Sequence, residues 1–111
     1  VQIDKKVKHK RIKKRRRRGL RSRLEGFHYE RLIEGGCIIC RRPAEVHHSI
    51  IHNPRRNDRI FPLCPDHHRN TDDSVHGNGN EREFFAGHGI DAETWPKMAW
   101  IKTMRLFDDN A

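Results

Sequence analysis

The sequence predicts a small α+β domain built around metal ligands and preceded by a basic arm, an expectation that rests on three observations. Charge is segregated: residues 1–25 hold 13 Lys/Arg and 2 acids, a net of +11, whereas residues 26–111 hold 11 Lys/Arg and 13 acids, a net of −2. Only 33% of the 111 residues are hydrophobic. That suffices for one small core, and a domain of this size commonly needs a staple. The cysteines offer one. Three is an odd number and does not close a disulfide framework, whereas Cys37-x-x-Cys40, followed after 23 residues by Cys64-x-x-His67, has the spacing of a tetrahedral Cys3His zinc site.

Residues 1–19 form the arm. Lys5, Lys6, Lys8, Lys10, Arg11, Lys13, Lys14, Arg15, Arg16, Arg17 and Arg18 crowd a stretch whose apolar residues are Val7 and Ile12. Such a segment cannot by itself bury enough surface to offset chain entropy. Its cations, unbroken by acids, fit a phosphate-tracking arm, because each phosphate contacted releases condensed counterions and adds salt-sensitive, sequence-independent affinity. A solvated tail or a localisation-like basic run is the blander alternative.

Residues 20–111 form the body. Leu20, Leu24, Phe27, Leu32 and Ile33, interleaved with Arg and Glu, predict a helix that delivers the arm to the body and stops at Gly35-Gly36. The Cys-x-x-Cys knuckle follows, then a turn around Pro43 and a strand over Val46 to Ile51, where β-branched residues gather. His52 to Asp58 reads as a loop through Asn53-Pro54, and Ile60 to Leu63 as a second short extended piece. A helix should begin at Cys64-Pro65-Asp66, with Pro65 suited to its first position and Asp66 to the positive end of its dipole. Beyond the breaks at Gly77 to Asn80, EREFFAG predicts a short helix and Asp91 starts a last one, placing C-terminal helices over 81–108. Phe84, Phe85, Trp95, Trp100 and Phe107 fall in helical patterns and are expected in the core, not on a base-stacking platform. The apolar runs are far shorter than the roughly 20 residues of a membrane span. No charged start followed by an apolar stretch marks a secretory signal.

The remaining histidines point to chemistry. His47 and His48 are adjacent on the first strand, where neighbouring side chains face opposite ways, so the two cannot do the same job. If His67 turns towards the sulfur ligands, His68 can point round the helix towards the strands. A second metal site made from His47 and His68, with His48 beside it as general base, is a workable constellation for phosphodiester hydrolysis. The metal neutralises the phosphate and the leaving 3′ oxygen while neutral His48 takes a proton from water. An ordinary histidine pKa of about 6.5 suits that role. Alternatively, a His-His pair on a strand is simply polar surface.

CIICRRPAEVHHSI, then RNDRIFPLC, then CPDHHRN resemble the ββα-metal (HNH) endonuclease module in its zinc-framed form, over Cys37 to His76. More narrowly, PLCPDHHRNTDDSVHGNGNEREFFAGHG resembles the phage recombination-enhancement nuclease (Ref) and related prophage proteins. The resemblance implies a ββα-metal core over 37–76 within a nuclease domain spanning 20–111. It implies His47 as the first metal ligand, His48 as the general base, His68 as the metal-binding histidine after the zinc pair, and Cys37, Cys40, Cys64 and His67 as the zinc frame. The middle Asn of the motif corresponds to Asn57 or has its place taken by Asp58. Thr71 and Asp72 stand where the family carries a further basic or His residue, and His76 is the candidate third ligand. Also implied are structural Zn2+, a catalytic Mg2+ or Mn2+ (or Zn2+ in its place), dependence on a RecA filament, and cutting of DNA at displacement loops or single strands. The protein would then be phage-encoded and act in the bacterial cytoplasm. No helix carries the Arg/Asn/Gln cluster needed to read base edges, so sequence specificity is expected to be low. The alternative is a non-catalytic, zinc-stabilised module that binds DNA or a recombinase filament, with His47 and His48 merely structural.

Overall fold

The computed structural model describes residues 22–52 and 54–109. The arm, with every lysine and arginine expected to bind nucleic acid, lies outside the described residues. Helix α1 (Arg23–Glu34) starts where the Ser22 hydroxyl accepts from the backbone N–H of Glu25 at 3.1 Å, and it ends at Gly35. Gly36 then takes φ +77, and a Cβ there would lie 2.6 Å from the Arg41 carbonyl oxygen. Only glycine lets the knuckle fold back this closely. Within it the Cys37 N–H donates to Arg42 O at 2.8 Å and the Arg41 N–H to Cys37 O at 2.8 Å.

Strands β1 (Glu45–His48) and β2 (Ile60–Leu63) pair antiparallel, with His47 opposite Phe61 and His48 opposite Ile60. Every residue of β2 is buried. Phe61 and Leu63 join the main core with Cys37, Cys64, Val75, Phe84, Phe85 and Ala92, while α1 contacts both strands. Phe61 stacks on Phe85 with ring centroids 4.1 Å apart and on Trp95 at 5.4 Å. The first strand is shorter than the Val46 to Ile51 expected from β-branching. Ser49 still donates its backbone N–H to Arg59 O at 3.0 Å, but the N–H groups of Ile50 and Ile51 turn to a carboxylate described below. A better acceptor ends the ladder where side-chain propensity alone would continue it.

The helix expected at Cys64 is a five-residue π-helical turn, Asp66–Asn70, in which the Thr71 hydroxyl donates to Asp66 O at 2.7 Å. A one-turn helix α2 (Val75–Asn78), capped by Ser74, and helix α3 (Glu81–Gly87), capped by Asn80, follow. The last helix, α4 (Trp95–Asp109), begins four residues after Asp91. Asp91 instead organises the turn before it, accepting from the Thr94 hydroxyl at 2.5 Å and, through its carbonyl, from the Trp95 N–H at 2.9 Å. Phe84 and Phe85 are buried; Trp95, Trp100 and Phe107 are half-buried, Trp100 edge-on to His28 and Phe107 beside Phe27. Among the described residues no helix is long and apolar enough to cross a membrane.

Candidate metal centres

Cys37, Cys40, Cys64 and His67 converge with one ligand atom each, all within 4.8 Å of one another. Cys40 Sγ lies 3.6 Å from Cys64 Sγ, and His67 Nδ1 lies 3.4 Å from Cys64 Sγ and 3.7 Å from Cys37 Sγ. With Zn–S about 2.3 Å and Zn–N about 2.0–2.1 Å, the edges of a zinc tetrahedron are about 3.6–3.8 Å. The four residues therefore fit a metal ion such as zinc in both donor chemistry and spacing. Burial raises the Cys37 thiol, but the backbone N–H groups of Cys64, Cys40 and Ile39 and the His67 ring outweigh it and bring its pKa down to about 6. That favours the thiolate a metal requires. Burial first, then the neighbouring Cys40 and Cys37 sulfurs, push Cys64 up. Behind the cluster, His67 Nε2 faces Asp73 at 3.7 Å, and Asp73 also accepts from His88 Nε2 at 2.9 Å.

Consecutive residues of a helical turn project in different directions, so His68 leaves the π-helical turn away from His67. Its Nε2 comes to 3.2 Å from His47 Nδ1, and exposed His76 on α2 completes a second cluster, also within 4.8 Å. The His76 ring lies 5.3 Å from that of His47 and 4.8 Å from that of His68, centroid to centroid. The far sides of the His47 and His68 rings face carboxylates. His47 Nε2 donates to Glu81 Oε1 at 2.6 Å, and His68 Nδ1 lies 3.2 Å from Glu45 Oε1. An ionised carboxylate only accepts, so the His47 ring offers its Nε2 proton to Glu81 and turns the Nδ1 lone pair towards His68. The 3.2 Å contact between the two rings is an N–H···N hydrogen bond when His68 carries its proton on Nε2, and a pair of lone pairs facing one cation site when that proton sits on Nδ1 towards Glu45. With His76 converging on the same point, the three imidazoles could hold a metal ion, whose ligands about 2.1 Å away lie about 3.0–3.4 Å from each other.

Glu81 is the anchor that the sequence did not disclose. Its side chain is 1% exposed, and beyond His47 it accepts from the Ser49 hydroxyl at 2.8 Å, from the Ile50 N–H at 2.9 Å and from the Ile51 N–H at 3.1 Å. Burial raises its pKa, but these donors reverse the effect and hold the carboxyl at about 2. In the sequence it is one acid in the first turn of EREFFAG, a place acids take for the helix dipole alone, and no local signal marks it as a partner of His47.

His48 points to the other side of β1. Its Nε2 lies 2.6 Å from the hydroxyl of Tyr29, on α1, and 3.0 Å from Asn57 Oδ1. Burial, against a smaller opposing effect of the Asn57 hydrogen bond, lowers the His48 pKa, as burial also does for His68. Of the two candidates for the middle residue, Asn57 reaches His48, whereas Asp58 pairs with Arg56 at 2.7 Å and Arg59 at 3.4 Å. Tyr29, the chain's single tyrosine, carried no motif that could have placed it here. Comparison with protein-family models, with curated proteins and with solved structures found no match.

Proposed function

We propose that this chain is a metal-dependent DNA endonuclease of the HNH type, hydrolysing phosphodiester bonds with His48 as general base. The observation that carries the reading is the division of labour between adjacent residues of β1: His47 enters the imidazole cluster with His68 and His76, while His48 stands outside it with a lowered pKa. His47, His68 and His76 would hold a divalent cation, which would supply positive charge for the scissile phosphate and for the leaving oxygen.

The chain's own residues do the rest. Glu81 and Glu45 orient the His47 and His68 rings so that their inner nitrogens stay unprotonated. His48, kept neutral near pH 7 by its burial, accepts the proton of the attacking water. His76 is exposed, so one side of the cluster is open to a polymeric substrate. The sulfur cluster, bound to zinc, holds the turn that carries His68. The basic run of residues 5–18 supplies affinity for the polyanion. By resemblance to the Ref nucleases, the substrate is DNA in a displacement loop made by a RecA filament.

The test is nicking of matched single-stranded, duplex and displacement-loop DNA in magnesium or manganese, with and without RecA. Cutting should be strongest on the displacement loop with RecA present. His48→Ala should reduce it by about 100-fold or more, the usual contribution of a positioned base. Equal cutting by wild type and His48→Ala removes the base assignment, and no cutting by wild type on any substrate removes the nuclease reading.

A further inference from the structure

We propose that Tyr29 is a positioning residue for His48, fixing the proton of that ring on Nε2 and leaving Nδ1 to act as base. The proposal deepens the nuclease reading and rests on it. It begins from helix α1, where Glu25 and Tyr29 are four residues apart and share a face. Glu25 Oε1 accepts from Asn57 Nδ2 at 3.0 Å. A carboxylate cannot donate, so this contact decides which way the Asn57 amide faces and turns Oδ1 towards His48 and Tyr29.

Oδ1 is itself an acceptor only. It lies 3.0 Å from His48 Nε2 and 3.0 Å from the Tyr29 hydroxyl, and those two atoms are 2.6 Å apart. One proton arrangement fills all three sides of this triangle. His48 carries its proton on Nε2 and donates to the Tyr29 oxygen and Asn57 Oδ1, and the Tyr29 hydroxyl donates to Asn57 Oδ1. Were the proton on Nδ1, Tyr29 would have to turn its single hydrogen to Nε2 and Oδ1 would lose both donors. Burial raises the Tyr29 pKa, which keeps that hydrogen in place. The lone pair then sits on Nδ1, away from α1.

The helix that follows the basic arm thus fixes the reactive nitrogen of the base, and α1 contributes to turnover. The sequence could not show this, because Glu25 and Tyr29 precede the knuckle and Asn57 lies 28 residues beyond Tyr29.

Two measurements on the full zinc-loaded chain test it. Nitrogen NMR of 15N-histidine-labelled protein should find the His48 proton on Nε2, and in Tyr29→Phe the signal should move towards a tautomer mixture. Single-turnover nicking in manganese by Tyr29→Phe should fall about ten- to hundred-fold, a part of the roughly 10²–10⁴ a positioned base contributes. DNA affinity and melting temperature should not change. Removing one oxygen should spare the fold; if it does not, Glu25→Gln, which frees the Asn57 amide to turn, carries the same two measurements. A His48 proton on Nδ1 in the wild type, an unchanged nicking rate, or an unchanged tautomer in the variant overturns the proposal. So does DNA left covalently on Tyr29 after denaturation, which would make it the nucleophile. Should the wild type not cut at all, the nuclease reading fails, while the NMR arm still decides whether Tyr29 fixes the tautomer.

Discussion

The two clusters meet at consecutive residues, His67 and His68, yet they differ in ligand type, number and exposure. The sulfur cluster brings four ligand groups from the knuckle, the end of β2 and the π-helical turn, and two of its members, Cys37 and Cys64, belong to the hydrophobic core. The imidazole cluster brings three groups, places carboxylates behind two of them, and leaves the third exposed. Four thiol and imidazole ligands make a closed site whose binding energy goes into the fold; three imidazoles leave a coordination position for something from solvent. A one-residue step along a helical turn is all that separates the two kinds of site.

The largest effect that could break this comparison comes from Cys64→Ala. Cys64 is 2% exposed and belongs to both the metal cluster and the core. Apparent zinc affinities in small metal-folded domains are worth about 10–16 kcal/mol, comparable to the whole stability of a domain. The variant should therefore lose cooperative melting, and its metal content should drop from about one tightly held zinc to none. His68→Ala should keep both the zinc and the melting transition. If Cys64→Ala melts as the wild type does, the sulfur cluster is not what holds the fold.

A smaller effect sharpens the other side. Glu81→Gln keeps the shape of the side chain but replaces a carboxylate that accepts from His47 and from two backbone N–H groups. Carboxylates behind metal-binding histidines are commonly worth ten- to hundred-fold in metal affinity. Manganese titration should show a loss of about that size, with zinc content unchanged. Equal manganese affinity would mean that Glu81 serves only to end β1.

What the sequence disclosed follows the same division. The sulfur cluster was legible because its ligands come in two Cys-x-x pairs, each local enough for spacing to carry the information. His47, His48 and His68 were legible as candidates because doubled histidines on adjacent elements stand out. Glu81 and Tyr29 were not, since each acts on a histidine 19 or more residues away and each has an ordinary local role, a helix-start acid and an amphipathic-helix aromatic. The end of β1 is hidden from the sequence for a related reason. Its β-branched residues favour a strand, and the acceptor that ends the strand arrives from α3, 30 residues later. Local preference is written in neighbours, whereas a buried polar partner is written only in the fold.

Acid is the natural reagent for comparing the two clusters, because thiols and imidazoles must lose protons to bind a metal. A third region adds its own acid sensitivity. His28 on α1 is fully buried against Trp100, with Nδ1 2.6 Å from the Thr103 hydroxyl of α4. Burial, then the charge of Arg31, lowers its pKa to about 4, with Asp58 opposing. The unfolded chain holds His28 at about 6.5, so between these values it binds the proton that the folded chain refuses. The stability involved is fully present above about 6.5 and is lost as the pH falls towards 4. From about pH 7.5 to about pH 5.5 the loss is about 1.3 kcal/mol. Urea unfolding of wild type and His28→Gln at both values should show this difference in slope between the two proteins. If their slopes coincide, His28 is not the source, and the acid lability belongs to the metal clusters alone.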